Sequence, residues 1–294
     1  MNIINDLKLQ YRIGGMTTKL IFWNIILFVI PALVFGMLKL FKIDIDYHNY
    51  IALSNNYATL LVKPWTLISY SFFHIGFFHL LFNVLVLNFV GKLFTTFFTQ
   101  KQLLSLYLLG GILGGILYII SYTFLPLLAN ENALLIGASG SIMAILVATA
   151  TYQPEMEVRL LFLGSIKLVY LAIGLFLLDL INLSIENTGG HLAHIGGALF
   201  GFVYIKSIQN GTDLGSGLTS FLDWCVTLFS PRKAKPFKKV HRNPKTSISS
   251  KPQSKIVVKD KAQQQIDEIL DKISKSGYDS LTTAEKEFLF QAGK

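Results

Sequence analysis

The sequence predicts an all-α membrane protein, a bundle of six transmembrane helices with a small helical tail. Three observations predict it. The 294 residues are 52% hydrophobic and only 15% charged, with mean hydropathy +0.51, whereas soluble domains carry about 25% charged residues. The apolar residues gather in runs separated by polar connectors, and the first run, 20–40, exceeds the ~18 residues that mark a span. The net charge of +9 is local. Eleven Lys and Arg against the single acid Asp260 fall between 231 and 261, which leaves the rest of the chain near neutral.

In chain order, residues 1–19 carry Lys8, Arg12 and Lys19 and read as a short cytoplasmic lead. Span 20–40 is too long for a signal-peptide core and lacks a small-residue cleavage site, so it is retained. The connector to 71, with Asp44, Asp46, Asn49 and Asn55, is too polar to span and reads as a structured, partly interfacial loop. The second span is 72–94. The third, 103–125, carries Gly110-Gly111 and Gly114-Gly115, overlapping GxxxG pairs that flatten one face for close packing. With no preceding strand and no P-loop lysine, these glycines are not a phosphate site. The loop 126–136 has no Lys or Arg and reads as outside. The fourth span is 139–152, followed by a cytoplasmic connector to 167 with Arg159 and Lys167. The fifth is 168–183 and the sixth 191–208. This count places both termini in the cytoplasm, and the family resemblance described below implies a bacterial inner (cell) membrane as the expected location.

Beyond the core domain 20–208, residues 209–230 read as an interfacial segment with Trp224 at headgroup depth. The basic stretch 231–261 reads as a disordered linker drawn to anionic headgroups, with no nucleic-acid partner expected. Residues 262–294 read as a helical hairpin. Ile266, Ile269, Leu270 and Ile273 have helical spacing, Gly277 is a stop, and Thr282-x-x-Glu285 is a capping box. It is too small for much core of its own and is expected to dock a cytoplasmic partner. The lone Cys225 excludes an intrachain disulfide and a multi-cysteine metal site.

The candidate chemistry starts at Gly137-Ala138-Ser139-Gly140. A serine there is either a small packing residue or a nucleophile. Its helix has 14 residues, about 21 Å, against a hydrocarbon core of roughly 30 Å, so Ser139 lies below the membrane surface. His194, at the start of the sixth span, falls at similar depth on a parallel helix. Gly140, Gly197 and Gly201 allow those backbones to approach. Taken singly, Ser139 is explained by packing and His194 by a bond to a carbonyl. Together they suggest a nucleophile and its general base. The N-terminus of the fourth helix also offers backbone N–H groups to an oxyanion. His79 and Asn83, at i and i+4 on one face, are either oxyanion donors or, with His74 or His194, metal ligands. The metal reading lacks a carboxylate in the motif and ranks lower, so no metal and no cofactor are expected.

These motifs resemble the rhomboid intramembrane serine proteases over residues 63–204. Gly137-Ala138-Ser139-Gly140 is similar to that family's GxSG motif. Ala193-His194, with Gly189 before and Gly197 and Gly201 after, resembles its sixth-span pattern. His74, His79 and Asn83 resemble its second-span pattern. The resemblance implies a Ser139–His194 dyad without an acid and an oxyanion hole from the Ser139 N–H, His79 and Asn83. It also implies cleavage of single-span or other transmembrane substrates in or near their transmembrane segments, close to the outer ends where the helix unwinds at small or helix-breaking residues, with water entering from outside and the fifth span as substrate gate. Two positions depart from the pattern. Trp65-Thr66 stands where many members have Trp-Arg, and Met143 stands where some place a Tyr against the histidine. Asp179, near the outer end of the fifth span, is either an acid in a watery cavity, a partner of Asn182, or a third member orienting His194. The implied dyad weighs against that last role. His74 and His191 are expected to line the cavity or bond to loop backbone. The competing readings are a catalytically silent rhomboid-like protein that binds transmembrane helices, and a transporter, for which no internal repeat is found.

Overall fold

The computed structural model describes residues 2–128, 131–160, 164–185, 187–229 and 261–292. The chain divides into two compact units, Met1–Arg232 and Lys233–Lys294.

The first unit is mostly helical. Helix α1 (Ile3–Ile13) leads into α2 (Met16–Leu40), so the first long helix starts ahead of the expected residue 20. The first loop holds three short helical pieces, α3 (His48–Ile51), α4 (Tyr57–Val62) and α5 (Thr66–Ser69), and a 3-10 turn Tyr70–Phe72. Helices α6 (Phe77–Phe97) and α7 (Gln100–Phe124) follow. Next come α8 (Ser139–Tyr152), α9 (Leu168–Asn182), α10 (Thr188–Gln209) and α11 (Ser216–Phe229). Among the described residues, three helices, α2, α6 and α7, are long and apolar enough to cross a membrane, while α8 and α9 are shorter apolar helices.

Two expectations are corrected here. The second span begins at Phe77 rather than 72, because Gly76 at φ +83° breaks the chain between the 3-10 turn and α6. Only glycine adopts that backbone readily. The fold is also not purely α. Strand β1 (Leu53–Ser54) pairs antiparallel with β2 (Leu134–Leu135), with Leu53 opposite Leu135. The connector after α8 is a hairpin, β3 (Glu157–Leu160) on β4 (Gly164–Lys167).

The centre of this unit is the packing of α7, α8 and α10. A Cβ on Gly197 would lie 2.0 Å from the Gly140 carbonyl oxygen, and one on Gly201 would lie 2.2 Å from that of Ala144. The contacts 140–197 and 144–201 advance together, so α8 and α10 run parallel. Helix α7 packs antiparallel to α8 through its own glycines. A Cβ on Gly110 would meet the Ala144 Cβ at 2.5 Å, and one on Gly111 would meet the Ser141 Oγ at 2.7 Å. The predicted GxxxG faces are therefore the contact faces. Buried hydroxyls pin the chain entering α6. Tyr70 Oη donates to the Gly111 carbonyl at 2.6 Å and Tyr107 Oη to the Ser71 carbonyl at 2.6 Å. Asn24 Nδ2 donates to Leu20 O and to Tyr107 Oη. On α11, Phe221, Trp224, Val226 and Leu228 are exposed.

The expected basic linker 231–261 lies outside the described residues except for its last residue, which opens α12 (Lys261–Ser276). In the second unit, Gly277 at φ +77° turns the chain through the 3-10 turn Tyr278–Ser280 into α13 (Thr283–Ala292). The capping box forms as expected. Thr282 N–H donates to Glu285 Oε2 at 2.7 Å, and Glu285 N–H donates back to Thr282 Oγ1. Lys272 Nζ donates to both carboxylate oxygens at 2.9 Å. Ile269 and Leu281 are buried between the helices.

Two predictions follow from this packing. Gly201→Ala should destabilise the protein by about 1–3 kcal/mol through overpacking, seen as a lower Tm in detergent. Gly36→Ala, with nothing within 4 Å of the added methyl, should be neutral or stabilising by up to ~1 kcal/mol. In the tail, the hydrogen bond from Lys272, then those from Thr282, push the Glu285 carboxyl down to about 2. The bridge should therefore be fully present above the ordinary value of 4.5 and be lost as the pH falls through about 2. An NMR titration of the Glu285 carboxyl carbon should show that low midpoint, and Lys272→Gln should return it toward 4.5. Ordinary midpoints in both proteins would show that the bridge does not form.

Candidate active site

Three elements converge on Ser139. The Gly137 N–H donates to the Tyr70 carbonyl at 2.9 Å, which ties the segment before α8 to the turn before α6. Gly137 sits at φ +135°, and a Cβ there would lie 2.8 Å from both Cε1 and Nε2 of His79. The His79 ring is thus packed against the glycine two residues before the serine. Ser139 Oγ is 3.8 Å from the same point. Ser139 is the first residue of α8 and is partly exposed. The N–H groups of a first helical turn have no intrahelical acceptor and carry partial positive charge.

Ser139 lines two cavities. One, of about 550 Å³, lies among the loops and the start of α10 and is also lined by His79, Tyr118, Asn187 and Gly190. The other, of about 260 Å³ and more apolar, lies between α6, α8, α9 and α10. Its wall includes Asn83, Met143, Asp179, His191 and His194. The helix starts thus bring Ser139 and His194 to one wall, as their spacing predicts. Among the described residues, no hydrogen bond joins them. Apo sites often hold such pairs apart and tighten only with substrate bound. The two expected oxyanion donors both neighbour Ser139, His79 in the larger cavity and Asn83 in the smaller. Asn83 Nδ2 currently donates to the His79 carbonyl at 2.8 Å. His74 is buried edge-on to the His79 ring, centroids 5.0 Å apart.

Asp179 bonds to both histidines at the start of α10. Its Oδ1 accepts from His191 Nδ1 at 2.7 Å and from His194 Nδ1 at 2.8 Å. The alternative pairing with Asn182 is corrected, because Asn182 Nδ2 donates to the Leu178 carbonyl instead. His191 is likewise corrected in part: it lines the cavity but bonds to a side chain rather than to loop backbone. The three ligand atoms lie within 4.8 Å of one another, close enough to hold a metal ion. The nitrogen–oxygen separations are those of charge-assisted hydrogen bonds, so the cluster needs no ion to account for it. The signal available in the sequence was that Asp179 is the one acid within the apolar run of α9, while His191 and His194, at i and i+3, share a helix face.

The family model for the rhomboid domain matches residues 62–209, and that for a family of unknown function (DUF6576) matches 257–292. Three curated relatives are similar. Presenilin-associated rhomboid-like protein A, mitochondrial, of Danio rerio is 34% identical over 141 residues, 46% of this chain and 35% of its own. RHOMBOID-like protein 12, mitochondrial, of Arabidopsis thaliana is 26% identical over 196 residues, 63% and 58% of the two chains. The Bos taurus presenilin-associated rhomboid-like protein, mitochondrial, is 30% identical over 161 residues, 52% and 40%. The chain therefore spans at most 58% of the length of these relatives. All three carry a mitochondrial location in their names, which overturns the expected bacterial inner (cell) membrane and, with it, the assignment of the termini to a cytoplasm.

Gly137→Ala should strain the backbone and push against the His79 ring, a loss of about 1–3 kcal/mol measured as a lower Tm. Gly174→Ala, which meets nothing within 4 Å, should leave Tm within a degree or two of wild type.

Proposed function

The chain belongs to the rhomboid family, and we propose that it is an intramembrane serine endopeptidase acting through Ser139 and His194. The observation that carries this reading is that both side chains line one cavity, on two parallel helices whose backbones touch at Gly140 and Gly197. We read α2, α6, α7, α8, α9 and α10 as six membrane-crossing helices. The 14 residues of α8 cover about 21 Å of the roughly 30 Å core, which leaves Ser139 within the bilayer. The segment 209–229 lies at the headgroups, and the helical hairpin of the second unit docks a partner. The relatives point to a mitochondrial membrane as the compartment.

In this mechanism His194 takes the proton from Ser139 Oγ as that oxygen attacks the scissile carbonyl carbon. The resulting oxyanion is stabilised by the Ser139 N–H, with His79 and Asn83 as further donors. Asn83 supplies its amide once it turns from the His79 carbonyl. The C–N bond breaks, His194 passes its proton to the leaving amine, and an acyl-Ser139 ester remains. Water then attacks the ester with His194 as base, which releases the acid and restores the hydroxyl. The two cavities divide this work. The larger, among the loops, supplies water. The smaller and more apolar one, between α6 and α9, admits the unwound part of a transmembrane segment, from a single-span protein or another membrane protein. Helix α9 exposes most of its residues and is the gate.

The test is cleavage of a transmembrane substrate in liposomes. Wild type should cut, and Ser139→Ala and His194→Ala should each lose at least ~10³-fold. A fluorophosphonate should label wild type and not Ser139→Ala. Cutting by both wild type and Ser139→Ala would remove the site assignment. Absence of both cutting and labelling in wild type would leave a silent helix-binding protein.

A further inference from the structure

We propose that Asp179 is a positioning residue for His194. Its carboxylate, steadied by a second hydrogen bond from His191, holds the imidazole with Nδ1–H on the acid and Nε2 available to Ser139. This rests on the protease reading and deepens it.

The geometry starts with where the acid is. Asp179 is 6% exposed and is one of only three buried residues on α9, with Leu168 and Ala172. These fall at i, i+4 and i+11, one stripe along the helix. A carboxylate at that depth costs several kcal/mol unless it is hydrogen-bonded. Two imidazoles supply the bonds. His191 and His194 stand on successive turns of α10 with rings nearly perpendicular, 88°, and centroids 5.9 Å apart. Both Nδ1 atoms converge on the same oxygen. An ionised carboxylate only accepts, so both nitrogens donate.

The consequence falls on His194. A neutral imidazole has one N–H and one lone pair. With the N–H committed to Asp179, the lone pair is on Nε2, the form that can take a hydroxyl proton. When His194 becomes an imidazolium, the carboxylate is already beside it. Met143 on the same cavity wall offers only a thioether and cannot do either. His191 acts on the acid rather than on the reaction, since its bond fixes the carboxylate rotamer that receives His194. The titratable groups facing His194 are Asp179 from α9, His191 from α10 and His79 from α6, and Ser139 from α8, Asn83 from α6 and Asn182 from α9 share its cavity.

The experiment uses the full chain in liposomes, with kcat and KM measured for a transmembrane substrate. Wild type, Ser139→Ala, Asp179→Asn, Asp179→Glu and His191→Gln are compared, each with its Tm. Asp179→Asn should lower kcat by about 10²-fold or more with little change in KM. Asp179→Glu, which keeps a carboxylate for the imidazole, should restore most of kcat. His191→Gln should lower kcat only several-fold. A purely structural role for Asp179 would lower kcat only in step with Tm and give no rescue by Asp179→Glu, and that result overturns the proposal, as does wild-type kcat in Asp179→Asn. Should Asp179→Asn not fold, His191→Gln decides, and wild-type kcat there overturns the proposal. Absence of cleavage and of fluorophosphonate labelling in wild type itself would instead overturn the protease reading.

Discussion

The backbone contact between α8 and α10 is the constraint on which the rest of the structure depends. Lipid tails are as apolar as leucine, so helices in a membrane gain little by hiding hydrophobic side chains from one another and associate through packing instead. Here the packing is backbone on backbone. Gly197 lies against the Gly140 carbonyl and Gly201 against that of Ala144, and both pairs are 57 residues apart in sequence. The same register sets His194 level with Gly137, two residues before Ser139. At 1.5 Å rise per residue that is an axial offset of about 3 Å. A side chain on either glycine would push the helices apart, and the serine and histidine with them. The placement of the serine and the histidine therefore depends on residues that have no functional group.

A second set of contacts fixes what surrounds that pair. Helix α7 crosses α8 in the opposite direction through Gly110 and Gly111, and the Gly111 carbonyl accepts from Tyr70. The Tyr70 carbonyl in turn accepts from the N–H of Gly137. One tyrosine thus links the α7 contact face to the segment carrying the serine. Gly76 at φ +83° then lets α6 start at Phe77, so that His79 arrives in the first turn, against Gly137. Tyr70 is buried, and both its hydroxyl and its carbonyl have partners. The site is preorganised from its backbone outward.

Much of this was legible in the sequence because it rests on patterns with long reach. Apolar runs mark the helices, glycines at i and i+4 mark the contact faces, and Ser139 and His194 announce themselves as polar groups at matched helix starts. The capping box at Thr282 and Glu285 is a local rule and formed as expected. What escaped has no such pattern. Strands β1 and β2 are two residues each, and their pairing joins segments about 80 residues apart. The β3–β4 hairpin is four residues a side in a stretch whose charges read as a connector. Residues 72–76 are as apolar as the helix they precede, and only the conformation of Gly76 separates them. Asp179 was visible as a lone acid in a span, but its partners lie 12 and 15 residues on, across a turn whose geometry sequence spacing does not report. The compartment was misread for a different reason. Charge asymmetry orients a protein in a bilayer, yet it carries no information on which membrane that is.

Asp179 also joins two properties that the fold otherwise keeps separate. Helix α9 borders the apolar cavity and exposes most of its surface, so little apolar burial fastens it to its neighbours. Of the three side chains it does bury, two are an alanine and a leucine in its first half, and the third is the acid near its far end. That far half is tied to α10 by hydrogen bonds to His191 and His194, beside the packing of Phe176 against the core. Hydrogen bonds depend steeply on distance and angle, while a leucine contact tolerates small displacements. The side chain that orients His194 is also one that seats α9, so the wall of the cavity and the base at its centre share a fastening.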